Sequence, residues 1–385
     1  MRKRGICILS MGLALLLMAG CAKEPEQKTP GGEITLTVEQ RTLFLDSGDE
    51  ETLTVESNGD VTYTSNKPDV VSVDEKGHVT AKAKGNALLT ITAGDQVAYC
   101  GVLVDLTDDC VDLAQQEMKE VALDITLERY TVPRDMDVDM ENNAMYFVQT
   151  YGTTPSDLLF TKVELVDGTW TRTEWMHLYE SGYGLLSLDK DEKGNVYLWS
   201  NSNGNLSDEG ETVSRVAWED EGFYQQEYGL TMDFGVKPEE IAVDEENDLV
   251  VLQTTGDMYK MYTYYDRESL LAGEEPIPLY TVTLKTNQSA AAGVDQSNGT
   301  YGMYKNQDFT VSGRYIYQLV GQAEKHVFIA VYDIDGTLQY CRLISEYTDL
   351  DFREPESLTY DDGKIYVVFA SGTSGNRWSN VFVFE

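Results

Sequence analysis

The stretch LSLDKDEKGNVYLW, Leu186–Trp199, reads as two strand-like runs joined by an acidic turn. Leu186 and Leu188 alternate with polar residues, Asp189–Gly194 supplies turn chemistry, and Val196–Trp199 is mostly apolar. That is the pattern of a tight antiparallel hairpin. The same order recurs in MDVDMENNAMYFV (Met136–Val148), IAVDEENDLVVL (Ile241–Leu252), FTVSGRYIYQL (Phe309–Leu319) and LTYDDGKIYVV (Leu358–Val368). From Tyr146 to Tyr197, Val250, Tyr317 and Tyr366 the interval is about 50 residues, once stretched to roughly 70, a period that marks propeller blades.

Each copy leads into further strand-like runs, such as DLLFTKVELVD after the first and HVFIAVYDID after the fourth. The last copy is followed only by NVFVFE. An orphan run upstream, EVALDITLERYTV (Glu120–Val132), is expected to complete that last blade, since an open sheet edge would otherwise be exposed. The reading is a five-bladed ring over 121–385, with four or six blades as the alternative if one copy is misread.

Asp189 and Asp191 stand two apart before Gly194, as at the start of a calcium loop. Lys193 occupies the fifth position and Ser200 the twelfth, where such a loop needs an oxygen ligand and a Glu. The sister turns keep the hairpin and drop the ligand spacing. DEKG is therefore read as a turn, and so is its other copy, Asp74–Gly77. No C-x-x-C or Cys/His cluster is present, so no metal and no cofactor is expected.

The chain carries 66 acidic against 29 basic residues, a formal charge of −37, which disfavours nucleic acid and anionic lipid surfaces. With 24 Tyr, 11 Phe and 5 Trp it is too aromatic for a disordered acidic chain. The N-terminus reads as a targeting segment: Arg2, Lys3 and Arg4, then the apolar stretch ICILSMGLALLLMAG. LMAGC resembles a bacterial lipobox, which implies cleavage after residue 20 and lipidation of Cys21; a plain secretory signal is the alternative. Residues 21–33 then form a polar tether. The expectation is an exported protein held to the bacterial membrane by lipid alone, acting as a monomer. Cys100, in the apolar run VAYCGVLV, is expected to be a buried small hydrophobe, with a bridge to Cys110 as the alternative.

Between Ile34 and Asp105 short alternating runs suggest a small antiparallel sandwich. TYTSNKPDVVSVDEKGHVTAKAKGNALLTITA resembles the bacterial Ig-like group 2 domain, with Tyr63 where Trp is common. In that hairpin Asp74 bonds its own backbone, Gly77 supplies the positive φ, and Val71, Val73, Val79 and Ala81 point inward. Residues 106–120 read as a linker. The fold class is thus all-β, a small Ig-like sandwich followed by the propeller. GYGLLSLD (Gly182–Asp189), NQDFTVSGRYIYQL (Asn306–Leu319) and EPESLTYDDGKIYVV (Glu354–Val368) resemble the helveticin-like propellers, a group that includes phage receptor-binding propellers. That resemblance implies recognition of a surface polymer. Leu185 and Leu186 stand where that group commonly has His and Gly.

In a propeller the first strand of each blade lines the channel, so the residues just before it crowd one mouth. Aligning the copies yields Arg134 and Asp135, Gly184 and Leu185, Glu239 and Glu240, Gln307 and Asp308, Glu356 and Ser357, bordered by Lys237, Lys305, Arg353 and Glu354. Pro133, Pro238 and Pro355 stand one step earlier and stiffen the approach. Convergent polar groups beside aromatics suit a glycan; Trp175, Tyr183, Trp199, Tyr301 and Trp378 are the stacking candidates. The charge favours a neutral or cationic ligand over a polyanion. The alternatives are a hydrated channel that binds nothing, a glycoside-cleaving enzyme using paired carboxylates, and a scaffold that binds protein.

Overall fold

The computed structural model describes residues 33–124, 132–150, 158–179, 187–200, 212–217, 230–256, 259–285, 306–321, 327–344, 353–373 and 376–385. Cys21 and Tyr183 lie outside them. The chain forms two units, dividing between Leu106 and Thr107.

The first unit is an Ig-like sandwich. Thr42–Leu45, Gln96–Val104, Gly85–Ala93 and Val61–Ser65 make a four-stranded sheet in that order, with the first pair parallel. Glu50–Thr52, His78–Ala81 and Val71–Val73 make the facing sheet. Val71, Val79, Ala81, Leu89, Ile91, Cys100 and Val102 fill the core between them, and Val73 packs at its border. The turn Asp74–Gly77 is built as its chemistry dictates. Asp74 Oδ1 accepts from the amides of Lys76 (2.8 Å) and His78 (2.9 Å), and Gly77 sits at φ +78°.

The second unit is a five-bladed propeller of four-stranded antiparallel sheets, the first extended by a short fifth strand in parallel. The innermost strands, in order, are Val132–Asp139, Ser187–Lys190, Glu240–Asp244, Asn306–Ser312 and Arg353–Asp361. Each pairs with the second strand of its own hairpin: Ala144–Thr150, Val196–Ser200, Leu249–Gly256, Tyr315–Gly321 and Lys364–Thr373. The turn Asp191–Gly194 repeats the first DEKG: Asp191 Oδ1 accepts from Lys193 N and Asn195 N, both at 2.9 Å, and Gly194 sits at φ +80°.

An innermost strand has a sheet partner on one side only, so backbone N–H groups on its other edge need an acceptor. At each of the five junctions a side chain of one blade supplies it. Asp137 Oδ2 accepts from Leu188 N (2.8 Å), Ser187 Oγ from Val243 N (3.1 Å) and Asp244 Oδ2 from Gly313 N (2.8 Å). Asp308 Oδ2 accepts from Leu358 N (2.7 Å), and Ser357 Oγ from Met136 N (3.1 Å), which returns the ring to its first blade.

The last blade takes its fourth strand from upstream, as an unprotected edge requires, but from an earlier segment than expected. Met118–Val121 pairs antiparallel with Asn376–Phe384; Leu123–Asp124 turns away and pairs in parallel with the outer strand of the first blade, Thr169–Tyr179. Residues 106–120 are correspondingly not a free linker. Val111 and Leu113 are buried among Tyr317, Ile329 and Ile344 of the fourth blade and Leu358, Val367 and Phe382 of the fifth. The amides of Val111 and Leu113 donate to the hydroxyls of Tyr317 (2.9 Å) and Tyr340 (3.1 Å), and Arg342 donates to Gln116 O (2.8 Å). The segment's polar composition hid this, because two apolar side chains two residues apart suffice to fill the wedge between blades. Cys100 and Cys110 are free thiols, one buried in each unit's core or at its border, so the bridge is not formed. Burial pushes the Cys100 thiol up to about 12.

Candidate functional site

Three innermost strands carry an extra residue at the same height. The register skips Arg134 between Pro133 and Asp135, Gln307 between Asn306 and Asp308, and Glu356 between Pro355 and Ser357. Such a bulge re-aims a side chain out of the ladder. Arg134 and Glu356, from the first and fifth blades, approach to 3.9 Å across the mouth. Gln307 turns back on its own blade and donates to Gly321 O at 3.3 Å.

One residue deeper lie Asp135, Glu240, Asp308 and Ser357. Ser357 Oγ is 2.6 Å from Asp135 Oδ1 and 2.7 Å from Asp308 Oδ2, so one hydroxyl links the first, fourth and fifth blades. Asp308 also accepts from Phe309 N (2.7 Å) and Leu358 N. Burial, then the neighbouring Asp135 charge, pushes the Asp308 carboxyl well above its ordinary range against those hydrogen bonds. Burial, followed by the charges of Asp308, Asp135 and Glu239, does the same to Glu240 of the third blade. Glu239 is exposed at the rim, where Lys260 reaches it.

The aligned positions thus converge from the first, third, fourth and fifth blades; Gly184 and Leu185 of the second lie outside the described residues. Glu354 is half-buried at the start of the fifth inner strand, and Arg353 precedes it. Of the stacking candidates, Trp175 belongs to the outermost strand of the first blade, opposite Thr161, and so is not on the channel wall. Trp199 is fully buried with Ile241, Leu252 and Tyr265 between the second and third blades. The apolar run that carries Trp199 is consumed by packing between the second and third blades.

Sequence reasoning missed Lys260, Asp137 and Ser187. Asp137 and Ser187 occupy the polar place between the two apolar residues of the repeat, and that recurrence was the available signal. The calcium-like Asp189 is spent elsewhere. Its buried carboxylate takes Arg215 Nε at 2.9 and 3.0 Å, and Arg267 Nη2 at 2.6 Å and Nε at 3.0 Å. The Arg215 guanidinium also lies 3.5 Å over the Tyr197 ring. No group of His, Cys, Asp and Glu among the described residues could hold a metal ion.

The fold and the mouth together define an Ig-like domain followed by a five-bladed β-propeller with an acidic channel mouth. Residues 45–102 match the bacterial Ig-like domain (group 2) family. The chain is also similar to solved structures. The tail fibre of Staphylococcus aureus phage P68 is 19% identical, with a TM-score of 0.53 over 71% of this chain and 53% of the fibre. This chain therefore spans about half the length of that fibre. A GH43 endo-arabinanase from Bacillus licheniformis is 11% identical, with a TM-score of 0.39, covering 68% of this chain and 95% of the enzyme. A protein from Lactobacillus plantarum is 14% identical, with a TM-score of 0.33 over 88% of this chain and 83% of its own length. No curated protein matches the sequence.

Proposed function

We propose that the propeller binds a glycan or another surface polymer at this mouth. The observation that carries the reading is the convergence of Arg134, Glu239, Glu240 and Glu356, with Lys260 beside them, from three blades onto one rim. Polar groups on rigid strands, pre-set by bulges and inter-blade hydrogen bonds, are what hydroxyl-rich ligands require. The acidic surplus favours a neutral or cationic polymer. The resemblance to helveticin-like propellers supports polymer recognition. The Ig-like domain serves as spacer or adhesion module, and lipidation at Cys21 holds the chain to the bacterial surface.

A second reading has its own support. Glu240 is a partly buried carboxyl biased toward its protonated form, the state a general acid needs for glycoside cleavage. A glycan array coupled to a reducing-end assay separates the two. Binding without sugar release, lost in Glu239→Ala and Glu356→Ala, supports recognition. Release abolished by Glu240→Gln would replace it with catalysis. Absence of binding to every glycan would point to a protein partner. The anchor is tested by Cys21→Ser, which should free the protein from the membrane fraction.

A further inference from the structure

Four of the five ring junctions are ordinary: a carboxylate or hydroxyl accepts an N–H from the neighbouring blade. The contact that joins the fourth, fifth and first blades is not. Ser357 Oγ has one hydrogen, yet it stands 2.6 Å from Asp135 Oδ1 and 2.7 Å from Asp308 Oδ2. Those are the lengths of hydrogen bonds to a charged oxygen. A serine can donate to one carboxylate only. Met136 N–H is shared between Asp135 Oδ1 (2.8 Å) and Ser357 Oγ (3.1 Å), and it supplies no hydrogen to either oxygen–oxygen contact. With both acids ionised, one of the two short oxygen–oxygen contacts would hold no hydrogen at all. A proton on either carboxyl completes both, running carboxyl to serine to carboxylate.

We propose that the ring is clasped at this junction by one proton shared between Asp135 and Asp308 through Ser357, and that withdrawing it as pH rises loosens the propeller mouth. The surroundings favour retention. Glu240 and Glu239 approach the pair from the third blade, and Asp137 lies two residues along the first strand; among the described residues, Arg134 pairs with Glu356 and Lys260 with Glu239. Burial, then the Asp135 charge, raises the Asp308 carboxyl. An acid raised on folding stabilises the native state fully below its unfolded value of about 3.9, and that contribution is lost as pH rises through the folded value. The device concerns the ring itself and stands whatever the mouth binds.

All five Trp residues lie beyond Leu106, so fluorescence of the full chain during urea unfolding follows the propeller. In the wild type the folding equilibrium constant should fall as pH rises above about 4, by up to tenfold per unit for this proton. Asp308→Asn or Asp135→Asn removes the site of the shared proton while an amide oxygen can still accept from Leu358 N or Met136 N. Either change should flatten the dependence by that amount. Wild-type slopes in both variants would overturn the proposal. If neither variant folds, the infrared difference between Glu240→Gln and Glu240→Gln with Ser357→Ala decides: a protonated-carboxyl stretch that shifts or disappears with the bridging hydroxyl is expected, and identical spectra refute the shared proton.

Discussion

Replacing Arg267 by Met tests the reading of Asp189 as a structural charge. Asp189 is fully enclosed, and the Arg267 side chain is 13% exposed, so solvent screens this pair little. Arg267 donates from Nη2 (2.6 Å) and Nε (3.0 Å) to Asp189 Oδ2 and from Nη2 to Lys190 O (2.8 Å), tying the third blade to the second. Methionine retains the stem's volume but leaves Asp189 with Arg215 alone. Breaking a buried pair from one side costs about 3 to 5 kcal/mol. The remaining bonds to Arg215 place the expected loss at the lower end, about 3 kcal/mol, or roughly a hundredfold in the folding constant. Urea unfolding followed by Trp fluorescence measures it. Adding Asp189→Asn to Arg267→Met should recover much of the loss, because the stranded charge is gone. High salt should change the cost little, since buried pairs are weakly screened. A cost below about 1 kcal/mol, as for an exposed pair, would refute the reasoning.

Leu113→Ala should destabilise the propeller by about 2 to 5 kcal/mol, because it empties a fully buried place between the fourth and fifth blades; the same fluorescence assay reads it, and a loss below about 1 kcal/mol would show that the segment is not part of the core. The two DEKG glycines should respond differently. Gly194→Ala meets open space and should cost only the left-handed backbone penalty of about 1 to 2 kcal/mol. Gly77→Ala brings its new Cβ to 3.2 Å from the Tyr63 ring and should cost more, seen as faster hydrogen exchange at Val79 and Leu89. Equal losses at the two positions would contradict the turn geometry.

The mouth positions were legible because the repeat is a matter of register. Once Tyr146, Tyr197, Val250, Tyr317 and Tyr366 are aligned, the residues preceding each inner strand are fixed, and Arg134, Glu239, Glu240, Asp308 and Glu356 follow. The aromatic partners were not legible. Trp199 and Trp175 have the composition of stacking residues, but their fate depends on which strand of a blade they occupy and which neighbour covers them.

Sequence alone determined the local matters: strand alternation, the Asp–Gly turns that close the hairpins, the two-part division and the blade period. Each rests on residues within a few positions of one another, whose backbone preferences act before the chain is folded. Tertiary structure alone decided how charge and hydrogen bonding are distributed. Met136 finds Ser357 at a separation of 221 residues, Val111 finds Tyr317 at 206, and Asp189 finds Arg267 at 78. No local preference encodes such partners. They are set where inner strands present unpaired amides to the next blade, and where an acidic residue must gain a donor once the ring excludes water.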